Sequence, residues 1–296
     1  MCIRDRNKEN GTYNKHLQKY SRIVQDDNDD LVLQFTTEVL GLESLHWGYW
    51  DDNDQLNLEN LKKAQKNFTS HLSSFIPEGV SQILDVGCGI GDNALHLSEN
   101  GYKLTCISPD INHQKAFKNL KNGKINFHLS GIEKFFSEKQ FDLALMSESS
   151  NYFDKDIGFE KLASLIKDQG FILSASLFRK KNTEFYSNFH IESEWLESAK
   201  KNGFEIINED DITEKVLPSS EIGRDILDQH AVPSLEVMIK YLTKSKGLKS
   251  RLFSYFVESN FQKLKEYVTD GYVSHMLDPN LFKENARYVI YLMKKK

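Results

Sequence analysis

The sequence predicts an α/β fold: a parallel sheet with helices on both faces. Two observations carry this reading. Short apolar runs alternate with amphipathic stretches from about residue 59 onward, the rhythm of strand–helix–strand units. One of those runs, Ile83-Leu84-Asp85-Val86, delivers an acid and then Gly87, Gly89 and Gly91 at spacing two. A β-carbon at Gly87 or Gly89 would hold a ligand away from the backbone, and glycine removes that obstacle.

The elements follow in order. Residues 7–30 are polar and end in an acidic stretch, and they read as a flexible arm. The opening Met1–Arg6 leads into no periodic segment and is set aside as a scar. Leu31 to Leu40 is apolar enough for a helix, and Leu45-His46-Trp47-Gly48-Tyr49-Trp50 is dense in aromatics. Leu61, Ala64, Phe68, Leu72 and Phe75 recur at three- and four-residue intervals, so 59–76 is an amphipathic helix. Strands are expected at 82–86, 103–107, 124–129, 141–146, 171–177, 204–208 and 286–293. Helices are expected at 92–99, 159–166 and 192–201, the first and last stopping at Asn-Gly pairs. Residues 219–283 break the rhythm, and Phe253, Phe256, Val257, Phe261, Leu264 and Val268 have helical spacing there. This stretch reads as a helical cap inserted before the last strand.

Composition narrows the function classes. A formal net charge of −5 argues against a broad nucleic-acid footprint. No apolar run approaches the roughly 18 residues needed to span a bilayer, so no integral membrane association is expected. Cys2, Cys88 and Cys106 fit neither a zinc site nor a disulfide framework, and the scattered histidines form no metal site. A reducing cytoplasm is the simplest compartment. The position where a dinucleotide-binding turn places its third glycine is Asp92, which weakens a nicotinamide-dependent dehydrogenase reading.

A strand, an acid and Gly-x-Gly-x-Gly resemble motif I of the class I S-adenosylmethionine-dependent methyltransferases. The resemblance covers about residues 40–215 and the final strand. Gln140–Leu145 resembles the family's fourth-strand signature. Leu165–Leu173 resembles its helix, turn and fifth strand, without the usual proline and with one glycine of the usual pair. The resemblance implies a Rossmann-like seven-stranded methyltransferase sheet with the last strand antiparallel. It divides the chain into an arm (1–30), a cofactor-binding core (31–218), a cap or lid (219–283) and the core's final strand (284–296).

The same resemblance assigns residues. Gly87, Cys88 and Gly89 approach the methionine part of S-adenosylmethionine, and Asp85 orders that loop or meets the amino group. The family ends its second strand with an acid that accepts both ribose hydroxyls. Here Ser108 holds that place, with Asp110 two residues on. Ser130-Gly131-Ile132-Glu133 occupies the adenine-clasping segment, with Gly131 and the Ile132 N–H as contacts and the usual acid missing. The His-x-Gly-Tyr-Trp element resembles that of small-molecule and isoprenoid-quinone methyltransferases. There Tyr49 is expected to meet the cationic sulfonium or the methionine carboxylate. Glu148 and Tyr152, just after the fourth strand, are expected at the mouth of the sheet, in contact with cofactor or acceptor. Glu148 and His190 are the candidate general bases, needed only for an acceptor that arrives protonated. Arg179 and Lys180 are candidates for an anionic acceptor.

The function expected is methyl transfer to a small, partly apolar molecule. The alternatives are a lipid or isoprenoid-quinone acceptor, or a protein that binds S-adenosylmethionine without transferring methyl.

Overall fold

The computed structural model describes residues 33, 35–118, 120, 122–243 and 277–296. The arm at 1–30 and the periodic positions from Phe253 to Val268 lie outside the described residues. Seven strands form one sheet: β1 (Gln82–Val86), β2 (Lys103–Ser108), β3 (Ile125–Leu129), β4 (Phe141–Ser147), β5 (Ile166–Arg179), β6 (Phe204–Asp211) and β7 (Ala286–Lys295). Their order is β3-β2-β1-β4-β5-β7-β6. The pairs among β1 to β5 are parallel, and β7 runs antiparallel to both β5 and β6. This is the sheet the motif resemblance implies. The order reverses at β1 and β4, so a crevice is expected beyond their carboxyl ends.

The helices are α1 (Leu58–Ser73), α2 (Asp92–Glu99), α3 (Ile111–Phe117), α4 (Lys155–Leu165), α5 (Glu192–Lys201), α6 (Thr213–Val216), α7 (Pro218–Asp225), α8 (Val232–Thr243) and α9 (Pro279–Asn285). The last four lie between β6 and β7. Successive strand residues feed opposite faces. Ile83 joins Phe68, Leu72, Ala94 and Leu97 of α1 and α2 on one side. Leu84 and Val86 join Phe159 and Leu162 of α4 and Trp195 of α5 on the other.

The structure differs from the sequence reading at four places. Asp154 caps α4 by accepting from the N–H groups of Asp156 and Ile157, so the helix begins at Lys155. The chain then enters β5 at Ile166, opposite Phe141, and the register shifts before Leu143 pairs with Phe171. Between β2 and β3, Asp110 caps α3 by accepting from the Asn112 N–H. Within the expected helix at 31–40, Phe35–Val39 forms a π-helical turn, and residues 31, 32 and 34 lie outside the described residues.

Candidate functional site

The glycine turn follows β1, and its glycines have distinct tasks. All three have positive φ: 76° at Gly87, 54° at Gly89 and 94° at Gly91. A Cβ on Gly87 would lie 2.4 Å from Ser149 Cβ, and one on Gly91 would lie 2.7 Å from Leu120 Cδ1 and 2.9 Å from Phe117 Cζ. Those two positions are closed by the protein itself. A Cβ on Gly89 would meet only Leu45 Cδ1, at 3.9 Å. Gly89 is therefore where the turn leaves room for a ligand. Cys88 is buried between them, its thiol beside Cys106 of β2.

Three carboxylates and one imidazole gather beside this turn. Asp92 opens α2 and pairs with His46, Nε2 to Oδ2 at 3.0 Å. The other ring nitrogen, Nδ1, is 2.8 Å from the Trp47 carbonyl oxygen. Nε2 also lies 3.2 Å from the Thr69 hydroxyl, so the ring sits between a carboxylate, a hydroxyl and a carbonyl, a setting that favours its protonated form. Burial opposes that charge, but Asp92 outweighs it and raises the His46 pKa above its ordinary value. Burial likewise opposes ionisation of Asp92, and His46 outweighs it and lowers the Asp92 pKa.

Glu148 sits just past β4 in the left-handed region, φ 53°. A non-glycine residue held there is strained, and such strain concentrates at functional sites. Its Oε1 accepts from the Trp47 N–H at 2.8 Å and from the Tyr288 hydroxyl at 2.9 Å. Desolvation raises the Glu148 pKa, with His46, the Trp47 N–H and Tyr288 opposing the rise. Asp85 differs from both. It is 1% exposed and, among the described residues, its Oδ2 has no hydrogen-bond partner; Asp92 Oδ2 also lacks a hydrogen bond but has His46 at 3.0 Å, and Asp85 has no such ion pair. Burial and the neighbouring Asp92 push its pKa up to about 8.

The aromatic element 45–50 roofs this corner, and its residues have distinct physical tasks. Gly48 lets the segment press on α1, where a Cβ would lie 2.6 Å from Ala64 Cβ. The Gly48 N–H and Trp50 Nε1 both donate to Ser219 Oγ at 2.8 Å. Trp50 is core, packed with Leu42, Leu61, Ala64 and Ile222. Trp47 lies against Phe282 and Tyr288.

The remaining sequence-predicted residues are dispersed. The Tyr49 ring packs on His71, 4.4 Å between centroids, and His71 pairs with Asp210 of the edge strand β6. Ser108 is buried, and its Oγ is 2.8 Å from His113 Nδ1 while accepting from the Asp110 N–H. Asp110 caps α3. Gly131 opens a tight turn, its carbonyl accepting from the Lys134 and Phe135 N–H groups, and the Ile132 side chain is buried. Tyr152, 56% exposed, closes a short turn after Glu148. His190 Nε2 is 3.0 Å from the Ser150 carbonyl and 3.2 Å from that of Phe153. It thereby fastens the loop after β4 to the segment after β5. Arg179 and Lys180 reach the carbonyls of Phe189, Thr183 and Lys283.

The structure thus brings together Asp85, Gly89 and Glu148, and adds His46, Asp92 and Tyr288. Among the described residues, no group of three or more His, Cys, Asp or Glu could hold a metal ion. No helix of the described chain is long and apolar enough to cross a membrane. A groove of about 630 Å³ beside Phe75, Phe171, Ile207 and Lys294 lies at the opposite end of the sheet and contains none of these groups.

The turn and the buried acids fit the amino-acid end of S-adenosylmethionine. Gly89 offers the backbone an approach, and Asp85 has an oxygen lacking a partner. Comparison with known proteins agrees. The family described as Methyltransferase domain matches residues 58–209, just over half of the chain. The chain belongs to that family. A ubiquinone biosynthesis O-methyltransferase of Rickettsia bellii is 28% identical over 148 residues, 42% of this chain and 62% of that protein. The chain therefore aligns with less than two thirds of that relative's length. Among solved structures, the cyclase SpnF superposes with a TM-score of 0.64 at 18% identity, covering 93% of this chain and 95% of that one. A geranyl diphosphate C-methyltransferase of Streptomyces coelicolor, solved with its diphosphate substrate and S-adenosylhomocysteine, gives 0.60 at 13% identity, covering 95% and 98%.

Proposed function

We propose that this chain is a cytoplasmic methyltransferase that binds S-adenosylmethionine and methylates a small, partly apolar molecule. The observation that carries the reading is the glycine turn with open space at Gly89 above a buried Asp85 whose Oδ2 has no partner among the described residues. When bound, S-adenosylmethionine supplies an electrophilic methyl group carried on a sulfonium. Asp85 and the backbone at Gly87, Cys88 and Gly89 hold its amino-acid end. Ser108 and Asp110 stand where the ribose is recognised, and Gly131 and Ile132 where the adenine is clasped.

Glu148 serves as the base. Two donors occupy its Oε1, which fixes the carboxylate in place, and desolvation lifts its pKa toward the working pH. An acceptor hydroxyl would pass its proton to that carboxylate as the oxygen is methylated. The ubiquinone-biosynthesis relatives favour an aromatic hydroxyl. Leu45, 39% exposed, and Tyr152 offer apolar surface near the turn and after Glu148. The helices between β6 and β7 serve as a cap over the acceptor. Tyr49 and His190 act by packing and bracing: His190 holds the loop that carries Glu148, and Tyr49 anchors the roof to α1.

A second reading is that the site holds the cofactor without methyl transfer; SpnF, a cyclase, shares this sheet, and a fold does not fix its chemistry. Calorimetric titration with S-adenosylhomocysteine tests the shared part: saturable binding is expected, abolished in Gly89→Arg. Turnover of S-adenosylmethionine with a panel of phenols and hydroxyquinones separates the two readings. Glu148→Gln is expected to lower that turnover at least tenfold with cofactor binding retained. Absence of binding by a folded sample overturns both.

A further inference from the structure

The three site carboxylates are not equivalent. Asp92 has the His46 ring nitrogen at 3.0 Å, and Glu148 has two hydrogen-bond donors on Oε1. Asp85 has neither. It faces Asp92 from α2, the Cys88 thiol from the turn and the Cys106 thiol from β2. Beyond Asp92 stand His46 of the roof and Glu148 after β4. His46 is already paired with Asp92. An isolated buried carboxylate neutralises itself by taking a proton rather than bear the full loss of hydration.

We propose that Asp85 is a carboxylic acid in the free protein and exchanges its proton for the α-ammonium of the bound cofactor. Binding then releases a proton and selects ligands that carry that ammonium. This rests on the S-adenosylmethionine reading. The exchange is balanced: the Asp85 O–H bond breaks, the proton leaves to solvent, and the carboxylate pairs with the ammonium directly or through one water. Nothing is oxidised or reduced. A pKa pushed to about 8 agrees with a protonated Asp85 at neutral pH.

The test titrates the full chain with S-adenosylhomocysteine at pH 6.5 in phosphate and in ACES, buffers of different ionisation enthalpy. At that pH the ligand amine is already an ammonium, so the protons counted are the protein's. Close to one proton released per ligand is expected. Affinity should tighten roughly tenfold per pH unit between about pH 6 and 7. 5′-Methylthioadenosine, which lacks the amino-acid end, should bind with equal heats in the two buffers. Asp85→Asn should bind S-adenosylhomocysteine at least tenfold more weakly and release no proton. If that variant does not fold, the wild-type titrations and the truncated ligand decide alone. Equal heats for S-adenosylhomocysteine in the two buffers overturn the proposal, as does proton release that survives in Asp85→Asn. No binding at all overturns the cofactor reading with it, a result distinct from binding without proton release.

Discussion

Asp85, Asp92 and Glu148 carry one functional group in one corner, and their partners set its charge differently. For Asp85 the consequence for stability has a definite sign. Its folded pKa of about 8 lies above the ordinary 3.8, so the folded state binds more protons across that interval. The free protein therefore loses stability as pH rises from near 4 to near 8. Asp85→Asn removes this slope. It should stabilise the free protein at pH 7 by about 2–4 kcal/mol while weakening ligand binding, a trade of stability against function. Urea unfolding at pH 5 and pH 7 measures it, and a variant less stable than wild type at pH 7 contradicts the protonated state. Tyr288 is the complementary case. Tyr288→Phe leaves Glu148 with the Trp47 N–H alone, and should cost about 1–3 kcal/mol in thermal unfolding.

At the scale of elements, the glycine turn separates architecture from binding. Gly87→Ala drives a Cβ to 2.4 Å from Ser149, whose hydroxyl is itself bonded to the Val86 carbonyl, so the turn and the start of the β4 loop must part. Gly89→Ala meets only the strain of its positive φ, about 1 kcal/mol. Thermal unfolding and S-adenosylhomocysteine titration should therefore rank the two differently. Gly87→Ala is the less stable by about 2 kcal/mol or more. Gly89→Ala stays folded and binds more weakly; unchanged binding there would remove Gly89 from the site. This distinction was not legible in the motif, where the glycines look alike. The central strands were legible because β1, β4 and the second half of β5 are nearly continuous apolar runs, and β1, α2 and α5 have the expected bounds. The start of β5 was hidden by a register shift, and α3 by a cap residue that also reads as a ligand for ribose. The site was half legible. Asp85 and the glycines are neighbours in sequence, whereas Glu148 meets Trp47 across 101 residues and Tyr288 across 140. A histidine followed by Trp-Gly-Tyr-Trp signals the roof, but nothing local says that its partner is Asp92.

Across the whole molecule, these buried groups set an unusual pH dependence. The roof is held to α2 by the His46–Asp92 pair, to the loop after β4 by Glu148, and to α7 by Ser219. His46 has a folded pKa above 6.5, so its contribution is complete below that value and is lost as pH rises through the folded value. Asp92 has a folded pKa below 3.8, so its contribution is complete above that value and is lost as pH falls through the folded one. Asp142, which ties the start of β1 to Lys167, behaves like Asp92, its pKa lowered to about 2. These lowered carboxylates therefore act on the acid side of 3.8, while Asp85 and Glu148 erode stability as pH rises above about 4, and His46 does so above 6.5. The free protein should be most stable at about pH 4–5, below the range common to globular proteins. His46→Gln should flatten the decline above pH 6.5. Saturating S-adenosylhomocysteine should move the optimum toward neutrality, because its ammonium pairs with ionised Asp85 and removes the largest part of the slope. Melting curves from pH 3 to 9, with and without ligand, decide this. An optimum near pH 7 in the free protein would show that Asp85 is ionised without help, and the argument from its missing partner would fail there.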